Sequence, residues 1–200
     1  MGLMRSFHGT TTVGIVVNEG VVLAADKRAS SGTYVAHKVV KKIVRIDDRA
    51  ALTIAGLVAD AQMLANYLRL EVLSHRVSTG YPPTLKSLAS LISLVLNSSK
   101  YFPYIVQLLL GGYDDRPRLY AIELFGDVVE EEYAATGSGS PVAIGIIESN
   151  HRRDMSIDEA LNLAVKAVSA SIMRDVFTGE AIDAVVITEK DYKEYSFKLR

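Results

Sequence analysis

Apolar positions alternate or run together over residues 10–17 and again over 20–26, on either side of Asn18-Glu19-Gly20. Two such runs around a short polar turn containing glycine predict a tight β-hairpin. Asp26-Lys27-Arg28 closes the second run with three charges, and Ser30-Ser31-Gly32 predicts a turn. Residues 42–47 and 50–55 predict a second strand pair around Asp47-Asp48, with Gly56 at its end. The chain thus opens as an antiparallel meander. The period then changes. Val58, Ala61, Leu64, Ala65, Leu68, Val72 and Leu73 share one face of a helix running from near Asp60 to near Gly80. Pro82-Pro83 breaks the chain, and Thr84 can cap a second helix. There Leu85, Leu88, Ala89, Ile92, Val95 and Leu96 recur at helical spacing. That helix is apolar around most of its circumference, which predicts burial on more than one side.

Strand patterns return at 104–113, 118–124 and 128–136, turned at Asp114-Asp115-Arg116-Pro117 and Gly126-Asp127. Thr136-Gly137-Ser138-Gly139-Ser140-Pro141 leads into a short helix. Ser156-Ile157-Asp158-Glu159 is a capping box. The helix it opens carries Ile157, Ala160, Leu161, Ala164, Val165, Val168 and Ile172 on one face, and Gly179 follows. Residues 182–188 and 192–198 close the chain as two strands. Segregated runs of strands and helices indicate an α+β fold rather than alternating βαβ units. Helices covering two antiparallel sheets make a four-layer αββα sandwich. No linker, internal repeat or low-complexity tract interrupts the pattern, which reads as one domain.

Composition narrows the chemistry. Of 200 residues, 49% are hydrophobic, enough for a sizeable core. Lys plus Arg is 22 and Asp plus Glu is 23, a net charge of −1 that argues against nucleic acid as the main partner. With no cysteine, a disulfide framework, thiol catalysis and cysteine-ligated metal sites are excluded. Met1 to His8 lacks the apolar core of a secretory signal. The longest apolar run, Ile105 to Leu110, is interrupted by Gln107 and is far too short to cross a bilayer. A soluble cytoplasmic protein, not bound to membrane, is the expectation. His8, His37, His75 and His151 show no metal-ligand spacing, and no metal is expected. Gly137-Ser138-Gly139-Ser140 lacks the Gly-x-Ser-x-Gly frame of a nucleophile elbow. No dinucleotide fingerprint or Walker sequence is present, and no cofactor is expected.

Candidate chemistry centres on Gly9-Thr10-Thr11-Thr12-Val13-Gly14. Thr-rich runs are often simply strands, because β-branched residues suit a pleated surface. Here, however, a short polar leader runs into Gly-Thr at the start of a strand. Its removal would leave Thr10 with a hydroxyl and a free amine on one residue. Such an amine titrates at about 7.7–8.0, suited to a general base at neutral pH. Threonine with its own N-terminal amine is an activated nucleophile. Asp26 ends the second strand and Lys42 begins the third. Lys42 has two readings: solvated beside Lys41, or turned inward to pair with Asp26 near Thr10. A buried lysine needs such a partner, and its ammonium would stabilise the threonine alkoxide.

The quoted stretch and several others resemble the proteasome β subunits, threonine-dependent N-terminal nucleophile (Ntn) hydrolases, closest to the archaeal 20S type. The others are Ala25-Asp26-Lys27-Arg28-Ala29-Ser30, Lys41-Lys42, Thr53-Ile54-Ala55-Gly56 with Asp60-Ala61-Gln62, and Gly111-Gly112-Tyr113-Asp114. Thr136-Gly137-Ser138-Gly139-Ser140-Pro141 and Arg174-Asp175 complete the set, which covers nearly the whole chain in order. The resemblance implies the two-sheet Ntn-hydrolase sandwich. It implies a propeptide over residues 1–9 and a catalytic domain over 10–200, with self-cleavage between Gly9 and Thr10. It makes Thr10 the nucleophile and Asp26 with Lys42 its activating pair. Ser138 and Asp175 would orient the amine and a water, and the Gly56 N–H would be the oxyanion donor. Ala29, Val40, Val44, Ile54 and Val58 match the specificity pocket. All five are apolar, so cleavage after hydrophobic side chains is expected, with Val40 and Ile54 making the pocket shallow.

The implied activity is threonine-type endopeptidase action on unfolded polypeptides. The implied assembly stacks two seven-membered β rings between two seven-membered α rings, with an ATPase unfoldase outside. Two departures from the family pattern stand out. Thr178 replaces the usual serine of Arg-Asp-x-x-Ser-Gly while keeping a hydroxyl. Gly126-Asp127 replaces a common Gly-Gly turn. An alternative is a weakly active or unprocessed ring-forming subunit that depends on a second β type. A simpler bacterial two-ring threonine protease would share Thr10 and Lys42. The Thr-Gly-Ser-Gly-Ser and Arg-Asp motifs and the chain length fit the archaeal type better.

Overall fold

The first hairpin is buried on both of its faces, and the rest of the molecule is layered around it. In the computed structural model, which describes residues 9–32 and 34–198, the hairpin comprises β1 (Thr12–Val17) and β2 (Gly20–Asp26). The Met1 to His8 part of the expected propeptide lies outside the described residues. Every residue of β1 and β2 is buried. This explains why their sequences run apolar instead of alternating cleanly. Val13, Ile15, Val17, Val22 and Ala24 pack outward against helices, while Val16, Val21 and Leu23 pack inward against a second sheet.

Among the described residues the remaining elements follow in order. They are β3 (Ala29–Ser31), β4 (Tyr34–His37), β5 (Ile43–Asp47), β6 (Ala50–Gly56), α1 (Val58–Thr79), α2 (Leu85–Ser98), β7 (Val106–Tyr113) and β8 (Pro117–Ile122). Then come β9 (Val128–Glu130), β10 (Tyr133–Thr136), α3 (Ser140–Glu148), α4 (Ile157–Ile172), β11 (Ala181–Thr188) and β12 (Tyr192–Lys198). One antiparallel sheet has the order β10-β1-β2-β11-β12 and the other β5-β6-β7-β8-β9. Helices α3 and α4 cover the first sheet through Ala143, Ile147, Ala160, Leu163, Ala164 and Val168. Helices α1 and α2 cover the second through Leu64, Leu68, Leu88, Ile92 and Leu96. Val16, Leu23, Ala51, Leu109, Leu119 and Ile187 fill the space between the sheets. The expected four-layer αββα sandwich is the fold.

The helix ends follow the local chemistry. Thr84 accepts the Ser87 N–H at the start of α2, and the Ser156–Glu159 capping box closes in both directions at the start of α4. Gly80, in the left-handed conformation (φ 83°), ends α1 and returns its N–H to the Arg76 carbonyl.

Four expectations are corrected. Residues 128–136 do not form one strand. The chain leaves the edge of the second sheet after Glu130 and joins the first beside β1, with Thr136 opposite Thr12. The crossing is fixed by two backbone bonds, from the Glu131 N–H to the Leu119 carbonyl and from the Val16 N–H to the Glu132 carbonyl. Residues 29–31 are strand, not turn: they pair with Tyr34–His37 in a two-stranded ribbon, and of the three residues expected in the turn Gly32 is in one. In this chain α2 buries one face rather than several, since Leu94 is 67% exposed. Leu73 of α1 likewise faces outward. Leu23 lies at the centre of the inter-sheet layer and is fully buried. Leu23→Ala should therefore lower stability by about 2–5 kcal/mol, measured by denaturant unfolding of the subunit.

Candidate active site

Thr10 sits two residues before the start of a buried strand, with Gly9 joined to its nitrogen, and is 3% exposed. Its N–H donates to Ser138 Oγ at 3.2 Å, and its carbonyl accepts the Gly139 N–H at 3.3 Å. Behind it, the Gly9 N–H donates to Ser30 Oγ at 3.2 Å. The glycine-rich loop between β10 and α3 therefore grips the backbone of Thr10 at both polar groups.

Ser138 leads to a second group. Its hydroxyl donates to Asp175 Oδ2 at 2.6 Å, so its lone pair is what receives the Thr10 N–H. The Thr178 hydroxyl donates to the same carboxylate oxygen. The departure from serine at 178 thus retains a hydroxyl–carboxylate bond. Asp175 lies in the turn after α4, where its own N–H bonds the Ser171 carbonyl at 2.7 Å.

On the other side of Thr10 stands Asp26, at the end of β2. Its carboxylate takes four donors. Oδ1 accepts Lys42 Nζ at 2.7 Å and the Thr11 N–H at 3.0 Å. Oδ2 accepts the N–H groups of Arg28 and Gly179, both at 3.0 Å. Of the two placements open to Lys42, the structure has the inward one: the lysine side chain is 5% exposed and that of Asp26 is fully buried. Lys42 directly precedes β5, and its carbonyl accepts the Ile54 N–H at 2.8 Å. Burial lowers the pKa of the Lys42 ammonium, and the attraction of Asp26 only partly offsets this. The lysine is thus held as a desolvated cation that gives up its proton more readily than an ordinary lysine.

A cavity of about 640 Å³ opens beside these groups, a size that suits an extended side chain or small ligand. Gly9, Thr10, Lys42 and Gly56 contribute to its lining, as do all five apolar residues matched to a specificity pocket, Ala29, Val40, Val44, Ile54 and Val58. Gly56 ends β6 with φ 115°, where a Cβ would lie 2.2 Å from the Ile105 carbonyl oxygen, so the sharp exit into α1 requires glycine.

Comparison with known proteins identifies the family. The family model described as proteasome subunit matches residues 6–187. The chain belongs to the proteasome subunit family. It is 53% identical over 199 residues to proteasome subunit beta 2 of Hyperthermus butylicus, covering 100% of this chain and 94% of the relative. It is 56% identical over 187 residues to proteasome subunit beta 2 of Staphylothermus marinus, covering 92% and 90%. It is 52% identical over 195 residues to proteasome subunit beta 2 of Sulfolobus acidocaldarius, covering 96% and 95%. The function is accordingly that of a 20S proteasome β subunit, a protease component that assembles into a proteasome complex. Among the described residues no helix is long and apolar enough to cross a membrane.

Sequence reasoning gave no role to Thr11, which joins the two carboxylate groups. Its N–H serves Asp26, and its hydroxyl lies 2.8 Å from that of Thr178. A threonine in a β-rich run carries no local sign of this. Ser30 and the polar cavity residues Gln62 and Arg69 were likewise without assigned roles, although Ser30 and Gln62 lie in the quoted motifs.

Asp26→Asn should leave the Lys42 ammonium buried without its counter-charge and lower stability by about 3–5 kcal/mol at neutral pH. The folded lysine sheds its proton before the unfolded one does, so the unfolded state binds more protons in that window. Stability of the variant should therefore recover in part as pH rises toward the ordinary lysine value. Denaturant unfolding at a series of pH values measures both effects. Thr11→Val keeps the shape and the N–H to Asp26. It should lose only about 0.5–1.5 kcal/mol, the contribution of one hydrogen bond, in the same assay.

Proposed function

We propose that this β subunit is a threonine-type endopeptidase whose nucleophile is Thr10, exposed when residues 1–9 are removed as a propeptide from a catalytic domain of residues 10–200. The observation that carries this reading is the setting of Thr10: the Asp26–Lys42 pair on one side, the Ser138–Asp175–Thr178 group on its nitrogen, and in front a cavity whose wall includes the five apolar residues.

In the processing step the Thr10 Oγ attacks the Gly9 carbonyl carbon. The C–N bond breaks, the hydroxyl proton passes to the Thr10 nitrogen, and the leader is left as an ester. Water cleaves the ester, releasing the leader as a carboxylate and restoring the Thr10 hydroxyl beside the amine freed in the first step. That amine then serves as general base for the same hydroxyl when a peptide arrives. Ser138, Asp175 and Thr178 orient the amine and a water. The Lys42 ammonium, fixed by Asp26, stabilises the alkoxide, and the Gly56 N–H faces the oxyanion. The peptide's carbonyl carbon is transferred to Thr10 Oγ with loss of the amine fragment, and water releases the acyl group. Ala29, Val40, Val44, Ile54 and Val58 select hydrophobic side chains on the acyl side of the cut.

The same reading gives the subunit its setting. It joins other β subunits in seven-membered rings between rings of α subunits, in the cytoplasm. An ATPase unfoldase on the α rings feeds it unfolded polypeptide. A second reading, a ring-forming subunit that stays unprocessed or weakly active without another β type, draws on the relatives' names. Both proteasome subunit beta 1, from Saccharolobus islandicus, and beta 2, from Hyperthermus butylicus, are similar to this chain.

In assembled complexes Thr10→Ala should retain the leader by intact mass and abolish peptide hydrolysis. Undiminished, inhibitor-sensitive turnover in that variant would sink the mechanism. In complexes whose leader has been removed, Lys42→Ala should reduce kcat by at least about a hundredfold, the scale of losing one electrostatic stabiliser. In the processed wild type, turnover should rise with pH through about 7.7–8.0 as the threonine amine loses its proton.

A further inference from the structure

Gly9 has no room for a side chain. A Cβ built on it would lie 1.7 Å from Phe177 Cβ, 2.5 Å from Phe177 Cγ and 2.9 Å from Ser138 Oγ. Carbon atoms settle at about 3.5–4.0 Å from one another, so the first two contacts are deep overlaps. The constraint is one of space, set by the atoms of Phe177 and Ser138. Side-chain rotation cannot relieve it either, since the closest atom is the Phe177 Cβ, which is fixed by its own backbone.

That backbone is held from several sides. The Phe177 N–H donates to Asp175 Oδ1 at 3.3 Å, and the Val176 carbonyl accepts Arg28 Nη1 at 2.8 Å. The Thr178 N–H returns to the Asp175 carbonyl at 3.2 Å, and the Gly179 N–H is bound by Asp26. Phe177 therefore cannot withdraw without disturbing bonds to both carboxylates of the site.

We propose that Phe177 is a positioning residue for leader removal: it admits only glycine at position 9 and so fixes how the end of the leader lies across Thr10. The inference rests on the self-cleavage set out above. It also separates two kinds of recognition at one nucleophile. A peptide substrate usually carries a side chain on its acyl residue and cannot lie as Gly9 lies. Its Cβ has to turn toward the cavity walled by Val40 and Ile54. Phe177 reads the leader, and the cavity reads the substrate.

The test is second-site rescue, read by intact mass of the subunit in assembled complexes. Wild type and Phe177→Gly should both lose residues 1–9. Gly9→Ala should keep them. Gly9→Ala with Phe177→Ala should also keep them, because alanine retains the offending Cβ. Gly9→Ala with Phe177→Gly should be cut again. A parallel set, produced so that Thr10 becomes the first residue when the initiator methionine is removed, shows whether Phe177→Gly still hydrolyses peptide and so whether the loop is intact. Free processing of Gly9→Ala would overturn the proposal, as would failure of Phe177→Gly alone to process. So would an uncut Gly9→Ala/Phe177→Gly chain whose Thr10-initiated Phe177→Gly counterpart is active. An uncut wild type, with a Thr10-initiated wild type that hydrolyses nothing, would instead remove the threonine-protease reading on which the proposal stands.

Discussion

A fully buried carboxylate is tolerable only if its charge and lone pairs are met. Asp26 meets this condition with four donors, and each comes from a different stretch of chain. Thr11 lies just before β1, Arg28 just after β2, Gly179 just before β11, and Lys42 just before β5. The first three belong to the sheet that carries Asp26 or to its connecting loops, and the fourth belongs to the opposite sheet. Hydrogen bonds to a charged group are each worth about 1.5–3 kcal/mol. Removing the ammonium would leave Asp26 with neutral donors alone, and removing the carboxylate would strand the lysine. The pair thus ties chain geometry to charge: Lys42 is fixed where it is because only there is its desolvation offset.

Around this anchor the second carboxylate is arranged more openly. Asp175 collects two hydroxyls, one of which, Ser138, faces the Thr10 nitrogen. Thr11 touches both systems through its N–H and its hydroxyl. The residue after Thr10 is therefore pinned more firmly than Thr10 itself. Orientation of Thr10 is inherited from its neighbour and from the loop at 137–139, with few direct demands on its own side chain.

Much of this was legible in the sequence. The continuous apolar runs of β1 and β2 indicated strands, and their burial on both faces explains the missing alternation. The capping box at Ser156 marked the start of α4, and the motif series placed Thr10, Asp26, Lys42, Ser138 and Asp175 in order. What stayed hidden depended on partners distant in sequence. The break between β9 and β10 falls in the run Glu130-Glu131-Glu132, whose charges interrupt the apolar pattern but do not tell that the pairing partner changes sheets. The circumference of α2 overstated its burial, since Leu94 faces outward. The choice between an exposed and a buried Lys42 turns on an aspartate across the sandwich. Phe177 and Thr11 look like ordinary apolar and strand-forming residues until Gly9 and Thr178 are brought against them.

The division of the site between two sheets has a mechanical side. Thr10 and Asp26 belong to the sheet of β1 and β2, while Lys42 and Gly56 flank β5 and β6 of the other. Between them lies a layer of mainly apolar side chains, and the directional contacts that join the sheets include the threonine hydroxyls of Thr12 and Thr53 at 2.9 Å, the Gly137 N–H on Gln107 Oε1 at 3.3 Å and the Arg45 guanidinium over the Tyr192 ring at 4.4 Å. A slip of one sheet over the other by about an ångström would leave each sheet intact and the fold recognisable, yet it would take the ammonium off its carboxylate. The active constellation is in effect a vernier: it reads the alignment of two layers that are held together mainly by shape.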